Sequence, residues 1–193
     1  MTQVTIIGAT GSLGRVVTKT LLEETDVHLT LFSHSADQLA YHPRVENIAG
    51  STADKEVLEK AVKGADLVFV ALSGDLPTMA QQIIKAMTKV SSRRLVFISS
   101  YGIYGEIDGA SQNGTGVLAP YRKAADMIEA STLDYTIVRP GWFNNSNDIS
   151  YTLYPKGETI YGNDISRKAI ADLVKRLVQD PSFGVKENWG IVR

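Results

Sequence analysis

Val4-Thr5-Ile6-Ile7-Gly8-Ala9-Thr10-Gly11-Ser12-Leu13-Gly14-Arg15-Val16-Val17 is the stretch that decides the fold. Its apolar start reads as a first strand, and the run from Val16 to Leu22 reads as a first helix. Three glycines stand where one becomes the other, each with its own task. Gly8 permits a tight turn, Gly11 lets the backbone come close to a pyrophosphate, and Gly14 lets the helix lie close to the strand. The helix N-terminus adds free N–H groups and the positive end of the helix dipole. G-x-x-G-x-x-G alone is a weak motif, because glycine-rich turns are common. A strand before it, a helix after it and its place at the head of the chain make it a dinucleotide-binding signal. The alternative is a glycine-rich turn with no ligand.

Outward from this turn, apolar runs alternate with helical patterns. The predicted strands are Gln3–Ile7, Val27–Phe32, Val45–Ile48, Leu67–Ala71, Leu95–Ser99 and Tyr135–Val138, with a short final one around Trp189–Val192. Their Val, Ile, Leu and Phe content, without polar alternation, reads as buried parallel strands. The predicted helices are Leu13–Glu24, Ala36–Ala40, Lys55–Val62, Thr78–Val90, Tyr121–Ser131 and Ser166–Gln179. In the last of these, Ile170, Leu173, Val174 and Leu177 recur at helical spacing. Strand–helix alternation implies right-handed crossovers. The expected fold class is therefore α/β: a single Rossmann-type doubly wound parallel sheet with helices on both faces. One domain is expected over residues 1–193, with a short C-terminal extension from about residue 141 covering the ligand edge. The polar, glycine-containing stretch Gly105–Gly116 follows the fifth strand, so it is either a lid over that edge or an idle surface loop.

A chain of 193 residues suffices for one core. A net charge of -1 gives no reason to expect nucleic acid or an acidic membrane as partner. The absence of cysteine excludes disulfides, thiol catalysis and cysteine metal sites, and suits a reducing cytoplasm. His28, His34 and His42 are too sparse for a zinc site, so no metal is expected. No signal peptide and no apolar run of membrane-spanning length is read, so a cytoplasmic location is expected.

Cofactor selectivity is usually set at the end of the second strand. There an acid about twenty residues past the glycines would bind the ribose 2′-hydroxyl of NAD. Leu31-Phe32-Ser33-His34-Ser35 carries none, and the first acid is Asp37. Arg15, directly after Gly14, suits a 2′-phosphate, and Ser33 and His34 could add hydrogen bonds. NADP(H) is thus favoured over NAD(H). The competing readings are a solvated first-turn arginine and an exposed loop histidine.

Gly8–Gly14 resembles the glycine motif of the atypical and extended short-chain dehydrogenase/reductases. Val96-Phe97-Ile98-Ser99-Ser100-Tyr101-Gly102-Ile103-Tyr104-Gly105 resembles their fifth strand ending in paired serines. Leu133-Asp134-Tyr135-Thr136-Ile137-Val138-Arg139-Pro140-Gly141-Trp142-Phe143 resembles a sixth strand ending in Arg-Pro-Gly. Ile165-Ser166-Arg167-Lys168-Ala169-Ile170-Ala171 is similar to the late helix start of the NmrA-like, NAD(P)-binding subgroup. The resemblance implies roles. Gly8, Thr10, Gly11, Ser12, Leu13 and Gly14 would hold the pyrophosphate. Ala71, Leu72 and Ser73 would border the adenosine side. Ser51 stands where relatives place an adenine-contacting Asp, followed by Thr52. Ser99 and Ser100 would lie under the nicotinamide, and Pro140, Gly141, Trp142 and Phe143 would close over it. From the residues alone, Trp142 and Phe143 either stack on a flat ligand or pack in the core.

Active short-chain dehydrogenases use Tyr-x-x-x-Lys, in which lysine lowers the pKa of the tyrosine that moves the proton. Here Ala125 stands four residues after Tyr121. Lys123 points about 200° around the helix from Tyr121, so the two cannot work as a unit. Tyr121 is a catalytic candidate against a packing role. Ser100 is a candidate against a serine that only caps backbone groups. The expected function is an NAD(P)H-dependent oxidoreductase that reduces a small carbonyl, quinone or flavin-like acceptor by direct hydride transfer. The alternative is a non-catalytic NADP(H)-binding sensor of the NmrA-like type. A sugar-nucleotide epimerase is disfavoured, since it needs the missing pair and a larger C-terminal domain. The expected partner is a small-molecule substrate, with self-association as a homo-oligomer left open.

Overall fold

Side chains along β1 (Gln3–Ile7) leave the strand on alternate faces: Val4 and Ile6 enter one apolar cluster and Ile7 the other. The same two-sided burial recurs in β2 (His28–Ser33), β4 (Leu67–Val70), β5 (Arg94–Ile98) and β6 (Asp134–Pro140). This is why their sequences read as unbroken apolar runs. The structure, a computed structural model, describes residues 1–109 and 115–193. With β3 (Val45–Ala49), β10 (Glu187–Val192) and β8 (Thr152–Pro155) the strands form one sheet in the order β3-β2-β1-β4-β5-β6-β10-β8. Every neighbouring pair is parallel except β8 against β10. A separate parallel ribbon joins β7 (Trp142–Asn144) to β9 (Asp164–Ser166).

α1 (Ser12–Glu24) covers the first face with Leu13, Val17 and Leu21, spaced four apart so that they share one stripe. α5 (Arg167–Gln179) lies beside it, burying Ile170, Leu173, Val174 and Leu177. Each such side chain stabilises the fold by about 1.5–3 kcal/mol. α2 (Lys55–Val62), α3 (Leu76–Lys89) and α4 (Ala119–Glu129) cover the second face. Asp54, Asp75 and Ser166 cap α2, α3 and α5, each accepting a backbone N–H with its side-chain oxygen, at 3.2, 3.4 and 2.8 Å. The strand order reverses between β1 and β4. Such a reversal opens a crevice at the carboxyl ends of those strands.

Several expectations change. The Ala36–Ala40 helix is a single 3-10 turn, Ala36–Gln38, because only Ala36 is buried and no apolar stripe supports more. Strand β3 is not buried on both faces; it is an edge strand with Glu46 and Ala49 exposed. The sheet is parallel except for its final edge, where β8 returns antiparallel. Strands β7, β8 and β9 have no counterpart among the predicted ones. Of residues 141–193, β7 and β9 lie at the ligand edge, α5 covers a face, and β10 and β8 extend the sheet. No helix of the described residues is long and apolar enough to cross a membrane.

Candidate functional site

The glycine loop shows why no side chain fits there. Gly8 has φ of +91°, and a Cβ on it would stand 2.1 Å from the Ala71 carbonyl oxygen at the end of β4. A Cβ on Gly14 would stand 2.2 Å from the Gly8 oxygen and 3.0 Å from the Ala9 Cα, so Gly14 seats α1 against the loop's own backbone. Gly11 is different. It is exposed, with ordinary extended φ and ψ, and its Cβ would meet only the Gly8 oxygen, at 3.2 Å. Nothing in the protein requires glycine there as strictly as at the other two; the open space above it does. Gly11 is also the N-cap of α1, which has no side-chain cap and no acid in its first turn. Its N–H groups and positive dipole end are left to an outside anion.

Backbone hydrogen bonds join the carboxyl ends of four strands into one rim. Gly8 N–H donates to Phe32 O (2.9 Å), Gly50 N–H to Ser33 O (3.0 Å), and Ala71 N–H to Ile7 O (3.0 Å). They bring Ser33, Ser51 and Ala71 to the same edge as the loop. Ser33 Oγ is buried without a hydrogen-bond partner, Ser51 and Leu72 are half-buried, and His34 and Ser73 are exposed. Thr52 instead lines a groove between α2 and α3. Arg15 is exposed, with Nε donating to Thr10 O at 2.9 Å. It stands on a ridge between two hollows. One, of about 500 Å³, lies between α1 and residues 39–45 over an apolar floor of Leu31, Leu39 and Val45. The other, of about 350 Å³, runs along α1 from Arg15 to Glu24, with residues 145–147 and the start of α5 on its far side.

On the other side of the loop, a cavity of about 500 Å³ opens at the ends of β5 and β6. Ser100, Tyr101, Pro140, Gly141 and Trp142 line it, with Ile107 and Leu118 opposite. Beneath this rim Ser99 is only 5% exposed, and its Oγ has no hydrogen-bond partner. Trp142 is 71% exposed and Phe143 38%, so core packing is excluded for both rings. Their strand, β7, is held by its backbone: Trp142 N–H donates to Asn163 O at 2.9 Å. Tyr101 donates its hydroxyl to Asn163 Oδ1 at 3.1 Å, which ties the end of β5 to the same turn. Tyr121 stands outside the cavity: it packs against the second apolar cluster, while Lys123 is exposed and Ala125 buried on the same helix.

One wall of the cavity is fixed by a buried ionic cluster. Arg139, fully buried, is paired with Glu106, and its Nε donates to Asn188 Oδ1 at 2.8 Å. Burial pulls the Arg139 guanidinium below its usual pKa, against the opposing pull of Glu106. The Tyr104 ring lies 4.5 Å from Lys156 Nζ, 4.6 Å from the Arg122 guanidinium and 5.0 Å from that of Arg139. Burial, with Glu129 nearby, pushes its hydroxyl up. In the Gly105–Gly116 stretch, Ile107 lies beside Ile160, and Asp108 N–H donates to Ile160 O at 3.2 Å. The beginning of the segment is therefore anchored wall. Residues 110–114, on which the lid reading also rests, lie outside the described residues.

Residues 8–181 match the model of a protein family described as NAD(P)H-binding. The chain belongs to this NAD(P)H-binding family. A Rossmann-fold NAD(P)-binding family protein of Shigella flexneri is similar over the whole chain and 94% of its own, with 34% identity and a TM-score of 0.88. A short-chain dehydrogenase/reductase of Veillonella parvula, solved in complex with NADP, is 27% identical. It matches over 100% of this chain and 94% of its own, with a TM-score of 0.90. The isoflavone reductase homolog A622 of Nicotiana tabacum is 25% identical over 183 residues; the match spans 87% of this chain but 59% of the tobacco protein.

The site fits the family's ligand. An NAD(P)H-binding protein needs a cradle without side chains, an uncapped helix end and polar atoms waiting under the rim. Gly8–Gly14, α1 and the unpartnered Ser99 and Ser33 hydroxyls provide them. Two residues beside it were not singled out from the sequence. Tyr101 was hidden between the paired serines and the loop. Arg167 is the first residue of α5, where a cation opposes the helix dipole. That unfavourable placement, readable from Ser166-Arg167-Lys168 as a helix start, was the available signal.

Proposed function

We propose that this chain is a reductase that takes NADP(H) in preference to NAD(H) and reduces a small, flat, uncharged acceptor, a carbonyl, quinone or flavin-like ring. The observation that carries the reading is the cavity at the ends of β5 and β6. Among the described residues its lining has no ionisable side chain other than the Tyr101 phenol, and it presents the exposed Trp142 ring. An acceptor with a formal charge would lose hydration there without an opposite charge to replace it. A flat ring would gain aromatic contact with Trp142. NADPH held at this site would supply a hydride. The chain's own residues hold the acceptor and exclude water. Ser100 and Tyr101 offer hydroxyls to an acceptor oxygen, and the Tyr101 hydroxyl can turn from Asn163 Oδ1 to give its proton to that oxygen as negative charge develops, the phenolate then taking a proton from water. Tyr121 and Lys123 have no part in this. Preference for NADP(H) rests on Arg15 beside the adenosine rim, on the absence of a carboxylate from Leu31 to Ser35, and on the NADP held by the Veillonella relative.

The test follows NADPH and NADH oxidation by the purified protein with quinones, flavins and aldehydes, each neutral acceptor paired with an anionic analogue. Turnover of neutral flat acceptors, faster with NADPH, is expected. Faster turnover of the anionic analogues would overturn the acceptor class. Tight NADPH binding with no turnover across the panel would favour the second reading, a cofactor-binding regulator, which the missing Tyr-x-x-x-Lys pair supports.

A further inference from the structure

We infer that Arg167 is a cofactor-binding residue: its guanidinium, reaching from the first turn of α5 across to the glycine loop, binds the dinucleotide's pyrophosphate. The inference deepens the proposed reading and rests on its cofactor part alone, not on the acceptor.

Arg167 opens α5, with Lys168 beside it, and α5 has no acid in its first turn. Cations at a helix N-terminus face the positive end of the dipole and the unpaired N–H groups, so their placement costs stability unless an anion lies nearby. The protein supplies none. Among the described residues Arg93, Arg122, Arg139 and Arg193 pair with a carboxylate, while Arg15, Arg44, Arg94, Arg167 and Arg176 pair with none; of these five, Arg167 is the one that opens a helix. Its contacts are neutral. Nε donates to Ser12 Oγ at 3.1 Å, and Nη1 donates to Asn145 Oδ1 at 2.8 Å and to Asn144 O at 3.5 Å.

The position of those contacts identifies the anion. Ser12 is the first residue of α1, directly after the Gly11 position that the fold leaves open. The guanidinium therefore stands beside the uncapped N-terminus, where the glycine cradle admits a pyrophosphate. Its planar fork matches two phosphate oxygens and exchanges hydroxyl and amide contacts for charged ones at little cost. The guanidinium carbon also lies 4.9 Å from the centre of the Phe143 ring. One side chain thus connects the pyrophosphate cradle to β7, the strand whose Trp142 lines the acceptor cavity. Arg15 shares the hollow of about 350 Å³ with Arg167, but it alone also lines the larger hollow beside the adenosine rim, and its Nε is bonded to Thr10 O.

Isothermal titration separates these roles without any turnover. The parent, Arg167→Ala and Arg167→Lys are titrated with NADPH, NADH, ADP-ribose and adenosine 2′-monophosphate, after thermal melting shows that each is folded. Arg167→Ala is expected to weaken NADPH, NADH and ADP-ribose alike, by about tenfold or more. Adenosine 2′-monophosphate, which has no pyrophosphate, should be unaffected, and Arg167→Lys should recover part of the loss. ADP-ribose affinity within twofold of the parent in Arg167→Ala would overturn the inference and leave Arg167 as a tie between α5 and α1. A loss confined to NADPH and adenosine 2′-monophosphate would also overturn it, by placing the 2′-phosphate there. Failure of the parent to bind any of the four would instead sink the cofactor reading itself. Should Arg167→Ala not fold, the comparison is made with Arg167→Gln, which keeps the hydrogen bonds and loses the charge.

Discussion

At Gly14 an added Cβ would sit 2.2 Å from a backbone oxygen, while at Gly11 it would meet the same oxygen at 3.2 Å and otherwise face solvent. Gly14→Ala should therefore unfold or strongly destabilise the protein. Gly11→Val should shift the melting temperature by only a few degrees, since about 1 kcal/mol moves a chain of this size by about 2–4 °C. The same Gly11→Val protein should lose NADPH binding in a calorimetric titration. Retained affinity would mean that the loop is only a turn. A second residue-scale expectation concerns Arg15. A charge-assisted hydrogen bond to the 2′-phosphate is worth about 1.5–3 kcal/mol, or about ten- to a hundredfold. Arg15→Ala should lower the ratio of NADPH to NADH affinity by up to that factor, measured as dissociation constants for both cofactors. An unchanged ratio would remove Arg15 from the account. The glycines were legible because their spacing and flanks are local. Arg167 was not, because its distance from Ser12 is 155 residues in the chain and 3.1 Å in space.

Among elements, the long helices were legible: α1, α3 and α5 lie within two residues of their predicted bounds, and α5 buries the Ile170, Leu173, Val174 and Leu177 that its spacing indicates. The ribbon of β7 with β9 and the strand β8 were not. Each has three or four residues, and its partner lies far along the chain, so no local pattern marks it. Trp142 and Phe143 showed the limit directly: two large rings after Pro-Gly read equally as core or as clamp, and only the three-dimensional placement of β7 beside β9 shows both rings exposed. The tie between α4 and β10 yields a pH dependence. Burial works to raise the Glu129 carboxyl, but Lys156 Nζ at 2.7 Å and Asn188 Nδ2 at 2.8 Å prevail and hold it below its ordinary 4.5. A carboxylate with a lowered folded pKa stabilises above its unfolded pKa, and the contribution fades as pH falls through the folded value. Lys156 is exposed, so solvent screens part of the attraction. Glu129→Gln is expected to lower the melting temperature by about 2–4 °C at pH 7, with the gap narrowing as pH falls below the ordinary carboxylate range. A gap that does not narrow on acidification would show that shape rather than charge makes the contact.

At the scale of the whole molecule, the doubly wound order was readable because strands and helices alternate from β1 to β6, with a 3-10 turn in place of a helix only between β2 and β3. The exception is where β10 enters between β6 and β8. Strand β8 precedes β10 in the chain, yet reaches the sheet only through it. During synthesis, residues 152–155 therefore leave the ribosome before the strand that receives them exists. Meanwhile the outer side of β6 is a bare row of N–H and C=O groups beside buried, apolar Ile137 and Val138. Such an edge is a template for another copy's strand. Substitutions that slow the entry of β10 should thus appear first as lost soluble yield, while each molecule that does fold keeps its site intact.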